Sequence, residues 1–103
     1  MMYLIIYDIT ENRIRTKVAR LLISHGYERI QLSVFAGPFS PMANATLWRQ
    51  LEILCPNKGE AESERNSLLV VEVPLKQFVK IRAIGNLPFD MAEMTGTAQT
   101  LWW

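Results

Sequence analysis

The sequence predicts an α+β domain in which two amphipathic helices lie on one face of an antiparallel sheet. Three observations lead there. Residues 2–7 and 68–73 are near-continuous apolar runs of strand length, rich in Ile, Val, Leu and Tyr. Apolar residues return with helical period in the segments that follow the first strand and precede the last. A chain of 103 residues holds one domain with a modest core and no more.

The first strand covers residues 2–9 and, apolar on both sides, is expected at the centre of the sheet. Thr10 is a fitting N-cap, with Glu11 well placed against the dipole of the first helical turn. Ile14, Val18, Leu21 and Leu22 recur at i, i+4, i+7 and i+8 and mark a buried stripe. Arg13, Lys17 and Arg20 cluster on roughly the opposite face, while Arg15 falls beside the stripe. The helix runs to about His25, a surface residue matched to the dipole at that end, and Gly26 stops it.

Residues 28–36 alternate, with Ile30, Leu32 and Val34 on one side and Arg29, Gln31, Ser33 and Phe35 on the other. They read as a half-buried strand, with a bend into two short strands as the variant. Gly37-Pro38 turns the chain, and Ser40 with Pro41 starts a second helix. Leu47, Leu51 and Leu54 form its stripe, Trp48 flanks it, and Pro56 closes it. Residues 57–67 are a polar loop containing Glu60, Glu62 and Glu64; the strand at 68–73 follows and ends at Pro74. A further strand is expected at 79–84, where Val79, Ile81 and Ala83 alternate with Lys80, Arg82 and Ile84.

The order is that of a ferredoxin-like βαββαβ sheet with an extra C-terminal strand. Residues 1–86 form this domain and residues 87–103 a tail without periodicity, ending in Leu101-Trp102-Trp103. Two helices cover only one face of such a sheet, yet the strands are apolar on both. A homodimer packed through the other face is the economical answer.

Composition narrows the functional classes. No apolar run approaches the ~20 residues of a membrane span, and the first apolar run is broken by Asp8 and has no basic leader. A cytoplasmic protein without a membrane partner is expected. Cys55, alone, makes neither an intrachain disulfide nor a cysteine metal cluster. The net charge of +1 is neutral on the question of nucleic acid, but residues 1–51 hold six Lys/Arg against three Asp/Glu. A local basic face binds phosphates on a near-neutral molecule.

Two motifs in fixed spacing carry a resemblance. Tyr3-Leu4-Ile5-Ile6-Tyr7-Asp8-Ile9, the basic helix up to His25-Gly26, and Glu28-Arg29-Ile30-Gln31-Leu32-Ser33-Val34-Phe35-Ala36-Gly37 resemble the small CRISPR-associated adaptation endonucleases. These are the second, smaller proteins of the pair that captures new spacers. The resemblance covers residues 2–55 well, and the strand at 67–73 fits in position. It implies a ferredoxin-like homodimer whose last strand, here 79–84, adds to the partner's sheet. It also implies that Asp8 of both protomers flanks the dimer axis and holds Mg²⁺ or Mn²⁺. Such proteins are described as metal-dependent endonucleases on RNA or DNA, and also as the bridge between dimers of the larger CRISPR integrase along duplex DNA. Where members open the strand after the second helix with Asp-Ser, this chain has Asn66-Ser67, which removes one charge from the strand's entrance.

Two roles suit Asp8, and they are compatible. As a catalytic and metal-holding carboxylate it supplies oxygen to a hard cation that keeps most of its waters, the cation offsetting charge on a phosphodiester. As a structural residue it accepts backbone N–H bonds at the helix start. For nucleic-acid binding the candidates are Arg13, Arg15, Lys17 and Arg20, with Arg29 and Gln31 nearer a dimer groove. Positions 16, 19, 21 and 24 carry no charge, so no acid at helical spacing neutralises the row there. Such side chains position a phosphate backbone and do not read bases. Tyr3, Tyr7 and Phe35 are expected in the core or interface, with base stacking as the alternative. The tail's Trp102 and Trp103 suit either a protein partner or docking on the chain's own sheet edge.

The expected function is thus a metal-dependent endonuclease of CRISPR adaptation, cleaving RNA or DNA and working with the larger integrase. The alternative is a non-catalytic dimeric scaffold bridging integrase dimers on duplex DNA. A further alternative is a ferredoxin-like RNA-binding or toxin-type domain whose first strand converged on the same pattern.

Overall fold

A computed structural model describes residues 1–56 and 66–86. The acidic loop at 60–64, and the tail with Trp102 and Trp103, lie outside the described residues.

The elements are β1 (Met2–Asp8), α1 (Asn12–Ser24), β2 (Glu28–Gln31), β3 (Val34–Gly37), α2 (Ala45–Leu54), β4 (Ser67–Val73) and a one-turn α3 (Leu75–Phe78). The sheet has the order β2-β3-β1-β4 with every neighbouring pair antiparallel, the expected ferredoxin-like arrangement with β1 inside. Along β1 the odd residues Ile5 and Tyr7 face the helices. They join Val18, Ala19 and Leu22 of α1, Leu47 and Leu51 of α2, and Phe35 in one core. Burying each of the larger of these side chains contributes roughly 1.5–3 kcal/mol, so the helix stripes read from the sequence are what hold α1 and α2 on this face.

The even residues of β1 face the other way. Met2, with Ile30 and Ala36, packs around the fully buried ring of Phe78, and Leu4, Val34 and Val73 border this smaller cluster. α3 therefore caps only part of the second face. Beyond it Leu69 and Val71 are 61% and 40% exposed.

Four local expectations need correction. The segment at 28–36 takes the two-strand variant, but as a hairpin: Leu32 and Ser33 form the turn between β2 and β3, so Leu32 is 76% exposed and not on the buried side. Glu11, not Thr10, is the N-cap of α1, and neither side chain caps it; the Thr10 N–H is drawn instead to Asn66. Ser40-Pro41 opens a single 3₁₀ turn over Pro41–Ala43, and α2 starts afresh at Asn44, whose side chain accepts from the Leu47 N–H. Residues 79–84 form no strand: Pro74 starts α3, Phe78 anchors it, and the chain then runs irregularly, with no strand among the described residues alongside to pair it.

Candidate nucleic-acid interface and metal site

Asp8 is the last residue of β1, exposed, and paired across the ladder with Ser67, the first residue of β4. By the two-residue period of a strand it completes the row Met2, Leu4, Ile6, Asp8 along the open face. The strand end is held on both sides. Tyr7 donates its backbone N–H to the Ser33 carbonyl (3.1 Å) and its hydroxyl to the Leu32 carbonyl (3.3 Å), while Thr10 donates its N–H to Asn66 Oδ1 (3.3 Å). A carboxylate at the rim of an apolar sheet thus sits between two anchored segments.

Among the described residues one ion pair forms, Arg13 Nε to Glu11 Oε1 at 3.4 Å, and it leaves Asp8 without a cationic partner. No three His, Cys, Asp or Glu side chains come together among those residues. The donor set fits a hard, largely hydrated cation in a limited way. Among the described residues each chain would bring one carboxylate, with Ser67 opposite it in the ladder, so a site of useful affinity would need Asp8 from two copies.

Arg13, Lys17 and Arg20 project from the solvent side of α1, as its amphipathic pattern requires; Arg15 is half-buried beside the stripe. Arg13 is not a free cation, because Glu11 two residues earlier folds back onto it. Exposed pairs of this kind contribute ~0–1 kcal/mol, so the pair holds the Arg13 side chain only weakly.

The hairpin separates the two remaining candidates. Arg29 pairs with Phe35 and Gln31 with Val34, and the register shifts between them. The Arg29 guanidinium consequently lies over the Phe35 ring, 5.1 Å from its centroid, on the helix side, where Phe35 also stacks on Tyr7. Gln31 lines the open face with Leu4, Ile6, Ile30 and Val34, across a hollow from Arg82 and Ile84. The alternation read from the sequence put both on one side; the bulge undoes it. Tyr7 and Phe35 are buried in the core, as expected, and Tyr3 is half-buried. His25 is tied by Nδ1 to the Leu21 carbonyl at 2.9 Å, in keeping with a helix-end role.

Sequence reasoning missed the contribution of Ser67 and the anchor formed by Asn66. The available signal was polar Asn66-Ser67 directly before an apolar strand; its pairing with Asp8 depends on β4 docking beside β1.

The family described as "CRISPR associated protein Cas2" matches residues 1–81. An endoribonuclease Cas2 of Pyrobaculum aerophilum is 54% identical over 41 residues, 39% of this chain and 45% of that one. One from Archaeoglobus fulgidus is 37% identical over 51 residues, 50% of this chain and 54% of that one. A Cas1/Cas2 endonuclease fusion of Thermoproteus tenax is 46% identical over 41 residues, 40% of this chain and 16% of the fusion. The chain spans about half the length of the curated Cas2 relatives it matches. Among solved structures, a hypothetical protein from Thermus thermophilus superposes with a TM-score of 0.61 at 27% identity, covering 85% of this chain and 94% of that one. Cas2 of Streptococcus pyogenes superposes with a TM-score of 0.63, covering 82% of this chain and 100% of that one; at 21% identity it speaks to the fold alone. A match across both motifs and β4 leaves no room for a first strand that converged by chance: the chain belongs to the CRISPR-associated Cas2 family.

Proposed function

We propose that the protein is a metal-dependent endonuclease of CRISPR adaptation, acting as a homodimer beside the larger integrase, Cas1. The observation that carries this reading is Asp8: an exposed carboxylate without a cationic partner among the described residues, at the rim of an open apolar sheet face. The relatives named as endoribonucleases and the Cas1/Cas2 fusion support both the activity and the partner.

In this mechanism the open face brings two copies together, and Asp8 of each points to the shared rim. The two carboxylates would hold Mg²⁺ or Mn²⁺, which when bound would supply Lewis acidity toward a phosphodiester oxygen and toward water. Lys17 and Arg20, with Arg13 once Glu11 is displaced, bind backbone phosphates of the RNA or DNA strand and hold it in register. Hydrogen bonds from Tyr7 to the Leu32-Ser33 turn keep the end of β1 still.

A second reading has its own observation. One carboxylate at the rim among the described residues is a sparse catalytic set, whereas the cationic row on α1 suits duplex DNA, so the protein also fits a non-catalytic bridge between Cas1 dimers. Spacer integration with purified Cas1, wild type against Asp8→Ala, separates the two. Loss of RNA or DNA cleavage, with integration retained, makes catalysis and bridging separate tasks. A wild type that cleaves nothing in Mg²⁺ or Mn²⁺, yet integrates, leaves only the bridge. Loss of integration in a folded, DNA-binding variant ties Asp8 to adaptation itself.

A further inference from the structure

We infer that Asn66 is a positioning residue for Asp8, a neutral clip that holds the strand-to-helix connection and so sets the carboxylate's place; this rests on the reading of Asp8 as the metal-holding group. The connection from Asp8 to the start of α1 is short and has few anchors. Ile9 is buried in the helix-side core, while Thr10 and Glu11 are exposed. Helix starts are commonly secured by a side-chain cap, and α1 has none. The Thr10 N–H instead goes to Asn66 Oδ1, at 3.3 Å and fifty-six residues away in sequence.

Asn66 and Ser67 therefore bracket Asp8. Ser67 stands opposite it in the ladder, and Asn66 holds the residue two positions beyond it. Without the clip, the Thr10 amide turns to water and the backbone leaving Asp8 gains freedom that cation binding must then remove. The amide oxygen accepts the Thr10 N–H without bringing a charge to the rim. An aspartate at position 66 would accept the same bond and place a second carboxylate beside the first.

The test uses Mn²⁺ as the probe, titrated into the intact protein and followed by electron paramagnetic resonance, together with hydrogen exchange of the Thr10 amide. Asp8→Asn should abolish Mn²⁺ binding. Asn66→Ala should weaken it severalfold, less than the roughly tenfold loss seen when a partner bonded to the metal ligand itself is removed, and should speed Thr10 exchange with little change in thermal midpoint. Asn66→Asp should keep Thr10 protected and bind Mn²⁺ at least as tightly as wild type. An Asn66→Ala protein with wild-type Mn²⁺ affinity, or with Thr10 exchange unchanged, overturns the inference while Asp8 keeps its role. So does an Asn66→Asp protein as impaired as Asn66→Ala. A wild type that binds no Mn²⁺ overturns the metal reading of Asp8, and the role given to Asn66 falls with it.

Discussion

The ring of Tyr27 packs against Gly37: a Cβ added to that glycine would stand 2.6 Å from Tyr27 Cδ1 and 3.0 Å from Cε1. Both residues are buried, and the Tyr27 hydroxyl reaches past the glycine to donate to the Phe39 carbonyl at 2.7 Å. This contact seats the chain leaving α1 on the exit of β3, and so sets the height of the β2–β3 hairpin beside β1. Gly37→Ala must push the ring away, and overpacking of this kind costs about 1–3 kcal/mol. Tyr27→Phe keeps the packing and loses the hydrogen bond, about 1 kcal/mol. Urea unfolding of both variants checks the order; a Gly37→Ala protein as stable as wild type would mean that the ring has room to move.

Alkaline pH should weaken the fold through two groups. Burial pushes the Cys55 thiol above its ordinary 9.0, and burial followed by the nearby Tyr3 pushes the Tyr27 phenol above its ordinary 10.0. In each case the unfolded chain ionises first. The stabilisation is complete below the unfolded values and declines as pH rises from about 9 through the higher folded values. Thermal midpoints measured from pH 7 upward should be flat with respect to these groups and then fall. Cys55→Ala should remove the earlier part of the fall, and an unaltered profile would assign the loss to other groups.

The sheet and both helix stripes were legible in the sequence because burial dictates them. Val18 and Leu22 of α1, like Leu47 and Leu51 of α2, recur with the helical period, which survives any detail of the ends, and Ile5 lies in an unbroken apolar run. What could not be read depends on partners distant in the chain. Asn66 takes the Thr10 N–H, and the N-cap falls one residue later, at Glu11; a single register shift puts Arg29 and Gln31 on opposite faces; Phe78 is a core residue only because α3 folds back over Met2 and Ala36. The site was half legible for the same reason. Asp8 stood out as a charge ending an apolar strand, while Ser67 gains its place only from the β1–β4 ladder.

The cationic row should bind nucleic acid in an additive, salt-dependent way, with Glu11 as its internal competitor. Removing one cation that neutralises a phosphate lowers the slope of log affinity against log salt by about 0.9 for duplex DNA. Lys17→Ala and Arg20→Ala should each show roughly that change. Arg13→Ala should cost less, since part of its charge is already engaged by Glu11 at 3.4 Å. Glu11→Gln should then tighten binding and restore the full effect of removing Arg13. Fluorescence anisotropy over a salt series measures all four. Equal slopes in wild type and the Lys17 and Arg20 variants would remove α1 from the interface.

The open sheet face sets the last expectation, which concerns assembly. Ile6 pairs with Leu69, and Leu4 with Val71, so these four apolar residues form one block of the face, which the Phe78 cluster of α3 reaches only at Leu4. Leu69 at 61% and Val71 at 40% exposure are costly to leave in water at ~25 cal/mol per Å² of apolar surface. They stand on the same face as Asp8, so whatever covers them also decides how close two Asp8 carboxylates come. Leu69→Lys places a charge where no acid lies opposite it in the ladder, since its partner across β1 is Ile6. On a solvent-exposed position this changes the stability of the single chain by no more than ~0.5 kcal/mol, whereas two such charges facing each other across an apolar interface are strongly unfavourable. Light scattering coupled to gel filtration should therefore show wild type as a dimer and Leu69→Lys as a folded monomer. The monomer should also lose Mn²⁺ binding with Asp8 intact, because one carboxylate remains where two are needed. A monomeric wild type would remove the shared site altogether, and a Leu69→Lys dimer with unchanged Mn²⁺ affinity would place the interface away from this face.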